Sequence, residues 1–264
     1  MPRASRRLSL ALAAAAGIAV SAAGCATLAG QNYYTVEQEW EAGRQIEAEV
    51  NRQVRLVNDP ALTRYVQNMG QQMARRTRLG DRPWRFYVVA DDAINAFNIP
   101  GGAVYIHTGL IAQAGSAAEL AGAMAHEVAH GAARHGTARL SKAQDANVVA
   151  RVIVGQDATA AESIATQVVA QGAFARFSRA DEREADRIAV PLMAEVGYDP
   201  QGLVRLLGRL AAQERGGSVE FLRTHPLSSE RARSVDALAR SVRRSGLRMN
   251  DRGFAAAQRA ARRY

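Results

Sequence analysis

Two histidines four residues apart, His126 and His130, form the pattern in this chain with the clearest chemical meaning. At about 100° per residue their imidazoles lie one turn apart on the same helix face, so both can reach a single metal ion. Glu127 stands close enough to act on a water molecule beside that ion without binding the ion itself. The segment is thus an HExxH motif, which predicts a catalytic zinc site with Glu127 as general base.

Such a site needs a third protein ligand, and an acidic segment about fifty residues downstream offers one. Glu182 and Asp186 are four residues apart and share a helix face. One carboxylate could bind the metal while the other accepts the spare ring N–H of a ligand histidine. Alone, this segment would be an ordinary acidic helix face; with the HExxH motif it predicts two His and one carboxylate around an open fourth position. His135 points away from His126 and is expected to be a packing or capping residue.

These side chains must be positioned by helices and a small sheet. Leu120, Met124 and Val128 form an apolar stripe opposite the two histidines, so this helix can pack into a core while its His edge faces a cleft. Asp59 is expected to cap a helix that starts at Pro60. The patterns predict helices over 36–57, 60–77 and most of 117–212, strands at 84–89 and 103–107, and a turn-rich stretch over 95–102.

Composition excludes several other classes of protein. The chain has 264 residues, of which 48% are apolar and 22% charged, which is typical of a globular domain. Its single cysteine excludes a disulfide framework and a CxxC motif. Its single lysine, Lys142, is followed by Ala, so there is no phosphate-binding GxxxxGK[ST] loop. The net charge of +9 would suit nucleic acid, but the N-terminus argues for export, so nucleic acid is not an expected partner.

The first 24 residues predict a lipoprotein signal peptide. Arg3, Arg6 and Arg7 precede a short apolar run, too short to span a bilayer. The run ends in Ala-Ala-Gly-Cys25, which resembles a bacterial lipobox, so Cys25 is expected to carry a lipid that anchors the protein to the outer membrane from the periplasm. The alternative is a plain cleaved signal with an incidental cysteine. Residues 25–35 are expected to be a tether.

Together these segments resemble the HtpX/CAAX-protease-like family of zinc metallopeptidases. The matching stretches are AHEVAHGAARH, SRADEREAD, NAFNIPGGAVYIHTGLI, GYDPQGL and THPLSSERARSV, in that order, over about residues 36–240. Without a multi-span membrane region, the chain is similar to the periplasmic lipoprotein branch of the LoiP and BepA type. Without a helical-repeat module, it is more similar to the short LoiP type. The resemblance implies a mostly helical α+β fold of zincin type, with a small β-sheet beside the HExxH helix.

The resemblance also implies roles for single residues. It makes His126, His130 and Glu182 the ligands of one Zn²⁺, Glu127 the catalytic base and Asp186 the residue that orients a ligand from outside. His225 matches a histidine that either approaches the metal as a removable fourth ligand or helps to stabilise the oxyanion, and Arg231 accompanies it. Pro191, within the helix that follows Glu182, is a departure from the helical pattern.

The expected function is a metalloendopeptidase that cleaves unfolded or misassembled envelope proteins. We expect the substrate backbone to add as an extended strand beside Ala103–His107. Two alternatives stay open. One is a non-catalytic or autoinhibited chaperone or assembly module for outer-membrane proteins. The other is a structural lipoprotein whose Arg-rich C-terminal tail binds anionic lipid or peptidoglycan. The expected domains are the signal peptide (1–24), the tether (25–35), the peptidase (36–240) and an Arg-rich C-terminal tail (241–264), either solvated or in contact with a membrane.

Overall fold

Two N-terminal helices begin where local sequence dictates. In the computed structural model, α1 spans Val36–Gln53 and is opened by a capping box between Thr35 and Gln38. Helix α2 spans Pro60–Ala74, and the Asp59 carboxylate accepts the first free N–H groups of that helix, as predicted. The structure describes residues 32, 34–142, 158–172, 174, 177–214, 219–243 and 245–264.

Helix α1 ends four residues before the predicted boundary. The reason is tertiary, since the chain from residue 55 onward is extended and bonds to a strand: Val57 N donates to Val88 O at 2.9 Å. This pairing satisfies backbone groups that a longer helix would have used internally. The signal peptide and Cys25 lie outside the described residues, as does most of the tether, of which only residues 32, 34 and 35 are described.

Three strands form a small mixed sheet in the order β1-β3-β2. Strands β1 (Arg85–Val89) and β3 (Ala103–His107) are parallel and agree with the sequence prediction. Strand β2 (Ala96–Ile99) pairs antiparallel with β3 and falls in the stretch predicted to be turn-rich, so that prediction is wrong for these four residues. The turn itself follows β2 at Gly101 and Gly102, which have φ of +83° and +77°, a backbone region that favours glycine.

The central position of β3 overturns one expectation about substrate. Strand β3 pairs with β1 on one side and with β2 on the other, so no edge of it is free to receive a peptide. The prediction that a substrate strand adds beside Ala103–His107 is therefore wrong. Strand order could not be read from the sequence, because it depends on the pairing of a four-residue strand that the sequence pattern did not reveal.

Helix α4 (Ala117–Ala133) is the centre of the folded domain. Each of its residues from Ala117 to Ala132 is buried, because its alanines and glycines let neighbouring helices pack closely on every side. At Gly122, for example, an added Cβ would lie 2.9 Å from the Cα atom of Leu203 on a neighbouring helix. The remaining helices are α3 (Thr108–Gln113), α4 (Ala117–Ala133), α5 (His135–Lys142), α6 (Ala158–Gln171), α7 (Arg179–Glu195), α8 (Gln201–Glu214), α9 (Glu220–Thr224), α10 (Ser229–Ser241) and α11 (Phe254–Ala261).

The sheet separates two hydrophobic cores. On one face, Phe86 and Ile106 pack with α2, α4 and the C-terminal helices. On the other face, Phe97 and Tyr105 pack with α1 and α6. Successive residues of β3 thus point into different cores, so this strand is buried on both faces. The mostly helical α+β class predicted from the sequence is confirmed. No helix among the described residues is long and apolar enough to cross a membrane.

The C-terminal segment is part of the same domain and not a free end. Helix α11 buries Phe254 in the larger core, against α2 and α3. Asp251, just before α11, accepts hydrogen bonds from the hydroxyls of Tyr65 and Tyr198 and from the backbone N–H groups of residues 253 and 254. These contacts attach the C-terminal segment to α2, through Tyr65, and to the turn between α7 and α8, through Tyr198. Pro191 lies inside α7, which continues to Glu195.

Candidate metal centre

Helix α4 presents the two histidines of the HExxH motif side by side. It starts at the N-cap Ser116 and ends at Arg134, whose φ of +60° stops the helix one turn after His130. His126 and His130 are completely buried, and their Nε2 atoms are 3.1 Å apart. Both nitrogens therefore face one point, as the four-residue spacing predicts.

Helix α7 brings the acidic segment to the same point. Its capping box, formed by Ser178 and Asp181, fixes where the helix starts and so places Glu182 in the first turn. Glu182 Oε2 lies 3.3 Å from His126 Nε2, and Glu182 Oε1 lies 3.4 Å from His130 Nε2. The structure thus brings together three side chains from segments that are about fifty residues apart in sequence.

His225 adds a fourth nitrogen to this group. It follows α9 directly, and its Nδ1 atom lies 3.0 Å from Glu182 Oε1 and 3.3 Å from His126 Nε2. On its other side, Nε2 lies 3.1 Å from Glu127 Oε1. His225 therefore lies between the carboxylates of Glu182 and Glu127.

Asp186 and Arg231 support the group from behind. Asp186 Oδ1 lies 3.1 Å from His126 Nδ1, the ring nitrogen that faces away from Glu182. Arg231 donates to both oxygens of Asp186, at 2.8 Å from Nε and 3.0 Å from Nη2. Its Nη1 lies 2.6 Å from Glu182 Oε2. One guanidinium thus joins Glu182 and Asp186, and its planar fork suits the bidentate contact with Asp186.

The donor set fits a bound metal ion. The ligand atoms of His126, His130, Glu182 and His225 all lie within 4.8 Å of one another. Ligands at about 2.0–2.1 Å from a tetrahedral zinc would be about 3.3–3.4 Å apart; the distances given above run from 3.0 to 3.4 Å. Glu182 Oε2 is buried without a well-formed hydrogen bond among the described residues, although Arg231 Nη1 lies beside it. A buried carboxylate oxygen is costly unless a cation satisfies it.

The protonation states suit the same purpose. Burial lowers the pKa of His130 to about 3, so its ring is neutral, the form that binds metals. Burial opposes the ionisation of Glu182, but His225 and the hydrogen bonds of the two α4 histidines hold its pKa far below the ordinary value. Burial likewise disfavours a charged His225, yet Glu127 and Glu182 raise its pKa to about 9. At neutral pH His225 is therefore protonated when no cation is present, and its ring would release that proton to bind one.

Two further residues touch the group without having been expected there. Phe177 stacks on His130, with ring centroids 3.9 Å apart. Asn98, on β2, donates from Nδ2 to Glu127 Oε2 at 2.9 Å. His135, expected to pack or cap, is buried with its Nδ1 atom 2.9 Å from His130 Nδ1. No spacing in the sequence relates Phe177 to the motif. Asn98 lies in the NAFNIPGG segment, and the family resemblance of that segment is the only signal in the sequence that could have indicated it.

A small cavity reaches this group from the surface. Its volume is about 170 Å³ and its walls include Glu182 and Arg231. The other lining residues come from the start of α7 and from the loop between α9 and α10: Arg179, Arg183, Pro226, Leu227 and Ser228.

Comparison with known proteins adds an independent line of argument. The model of a family described as Peptidase family M48 matches residues 60–239. The beta-barrel assembly-enhancing protease of Yersinia pestis is 31% identical over 208 residues, which cover 75% of this chain and 43% of the relative. The protein of the same name from Escherichia coli O157:H7 is 29% identical over 221 residues, or 79% and 45%.

A eukaryotic relative gives a similar match. The mitochondrial metalloendopeptidase OMA1 of Saccharomyces cerevisiae is 35% identical over 162 residues, which cover 58% of this chain and 46% of the relative. The chain therefore spans less than half the length of each of these three relatives.

Proposed function

Because the chain belongs to peptidase family M48, whose members depend on a metal, we propose that it is a zinc-dependent endopeptidase. One observation carries the proposal: His126, His130 and Glu182 face one point, and Glu127 stands beside them without joining the ligand set. A site that only bound metal would not need that second carboxylate. Its presence favours hydrolysis of peptide bonds.

Under this proposal, His126, His130 and Glu182 hold one Zn²⁺. Zinc at this position supplies Lewis acidity, which acidifies water and polarises a carbonyl oxygen. Asp186 orients the ring of His126 by accepting from Nδ1, and Arg231 holds Asp186 in place. Because Asp186 accepts a hydrogen bond from the N–H at Nδ1 of His126, the Nε2 atom that faces Glu182 is left without a proton.

Glu127 moves the proton. Burial would raise the pKa of its carboxyl group, but His225, then His130 and His126, outweigh burial and lower it, so the group is ionised. We propose that Glu127 takes a proton from the attacking water and returns it to the leaving amine nitrogen. Arg231 and His225 are the donors nearest to the ligands and would stabilise negative charge on the carbonyl oxygen.

The outer edge of β2 is the place where a substrate backbone would pair. His107 N donates to Asn95 O, and hydrogen-bonded pairs alternate along an antiparallel ladder, so the backbone groups of Ala96 and Asn98 point away from β3. No hydrogen bond from another described residue reaches them on that side. Pairing through the main chain demands no particular side chain, which suits unfolded polypeptides as substrates.

The cellular setting is part of the proposal. The bacterial relatives are named for enhancing β-barrel assembly, and the N-terminal 24 residues have the pattern of a lipoprotein signal. We propose a periplasmic protein, attached to the outer membrane through a lipid on Cys25, that acts on unfolded or misassembled envelope proteins.

One observation favours a second candidate. His225 lies within ligand distance and would complete a set of four protein ligands, a closed arrangement typical of structural zinc sites. An autoinhibited or non-catalytic assembly factor would have such a site. The peptidase requires that His225 leave this position when substrate binds.

A Glu127→Gln variant separates the two candidates. Wild type and variant are purified, their zinc content is measured, and both digest casein with and without a chelator. The peptidase predicts equal zinc in the two proteins, cleavage by wild type alone, and its loss on chelation. Equal behaviour of the two proteins in every assay would support the assembly factor.

A further inference from the structure

We propose that Asn98 is a positioning residue for Glu127, a role that rests on the proposed function. Its side-chain amide donates from Nδ2 to Glu127 Oε2 at 2.9 Å. Asn98 is 5% exposed and Glu127 is completely buried, so water does not compete for the bond. The amide would thus fix the orientation of the carboxylate that moves the proton.

The chemistry of the pair dictates its direction. An ionised carboxylate only accepts hydrogen bonds, so the amide must turn its NH₂ group toward Glu127. The second oxygen, Oε1, is 3.1 Å from His225 Nε2 but has no well-formed hydrogen bond among the described residues. One oxygen is therefore held and the other is left to receive a proton.

The backbone that carries Asn98 is rigid and close to α4. Asn98 pairs with Val104 of the central strand. Gly131, one turn after Glu127, lets α4 approach the ring of Trp84, the residue before β1, since a Cβ at position 131 would lie 2.8 Å from that ring.

Asn98 also links the proton acceptor to the proposed substrate strand. Its backbone groups point to the outer edge of β2, while its side chain reaches Glu127. A peptide paired with that edge would be held in register with the carboxylate by a single residue. The expected consequence is an effect on the catalytic step that is larger than the effect on binding.

Two substitutions test the role through kcat and KM for one peptide substrate. Asn98→Ala removes the hydrogen bond, and we expect kcat to fall about tenfold or more with KM and zinc content nearly unchanged. Asn98→Asp keeps the shape but sets a second carboxylate against Glu127, so kcat should fall further. A packing role alone predicts the reverse order, with Asn98→Asp closer to wild type. Ile46→Val, in α1 and in the core on the other face of the sheet, is the control and should leave kcat unchanged.

A second measurement does not depend on activity. In urea unfolding of zinc-free protein, the losses of stability in Asn98→Ala and Glu127→Ala should be less than additive in the double variant, because each removes the same bond. Additive losses of stability would show that Asn98 and Glu127 are not coupled and would contradict the hydrogen bond between them. Unchanged kcat in Asn98→Ala, in a protein that Glu127→Gln inactivates, would overturn the positioning role while the proposed function stands. Wild type that cleaves no better than Glu127→Gln would overturn both.

Discussion

Arg231→Met should destabilise the protein more than almost any other single substitution of a charged residue. Arg231 is 3% exposed and makes bidentate contact with Asp186, and it also contacts Glu182. Methionine keeps most of the length and none of the charge, so it leaves two carboxylates buried without their cation. Breaking a buried ion pair from one side costs about 3–5 kcal/mol.

The assay is urea unfolding of zinc-free protein, so that a bound cation does not compensate for the loss. The same loss can be expressed as a decrease in Tm. In a domain of this size each kcal/mol of lost stability lowers Tm by about 2–4 °C, so Tm is expected to fall by about 6–20 °C. Arg183→Met is the matched control on the surface of α7. Its contact with Glu230 is 3.8 Å long and both side chains are well exposed, so a change within about 0.5 kcal/mol is expected.

A double variant identifies the source of the loss. Asp186→Asn combined with Arg231→Met removes one of the two stranded charges, so it should be more stable than Arg231→Met alone. A loss below about 1 kcal/mol in Arg231→Met, or no recovery in the double variant, would refute the reasoning that this guanidinium neutralises a buried acidic pair.

Three further predictions concern the C-terminal attachment and the metal. Asp251→Ala removes the acceptor for two tyrosine hydroxyls and two backbone N–H groups and should cost about 2–3 kcal/mol in urea unfolding; a loss under 0.5 kcal/mol would contradict the attachment. Burial and Asp251 raise the pKa of Tyr198 to about 12, so its contribution to stability is complete below pH 10 and is lost as the pH rises through 12; Tyr198→Phe should show a shallower decline in stability over that range, and an equal slope would count against it. Chelation should lower the Tm of wild type but hardly that of His130→Ala, as measured by calorimetry, because a ligand stabilises only a fold that binds it; equal shifts would argue against a zinc bound through His130.

The elements that the sequence predicted well are those whose pattern is local. The spacing of His126 and His130 requires only a helix, and α4 is a helix throughout. Likewise, the Asp59 cap and strand β3 depend on residues close in sequence. The convergence of Glu182 with the histidines needed the family resemblance as well, because helical periodicity does not say which distant helix packs against α4.

What the sequence could not predict depends on contacts between distant segments. Strand β2 is four residues long and is followed by Pro and two Gly, so its own residues read as a turn until β3 pairs with it. The strand order, with β2 at one edge of the sheet, follows from that pairing. Asn98 and Phe177 reach the site for the same reason, since nothing in their local sequence points to Glu127 or His130.

Zinc affinity in a pair of α7 variants tests the central claim most directly. Glu182→Gln removes a proposed ligand, whereas Glu184→Gln alters an exposed carboxylate two residues away on the same helix. Equilibrium titration with a competing chelator should give one zinc per wild-type chain, an affinity at least tenfold weaker in Glu182→Gln, and wild-type affinity in Glu184→Gln. Equal affinity in wild type and Glu182→Gln would contradict the claim that α4 and α7 hold the same ion.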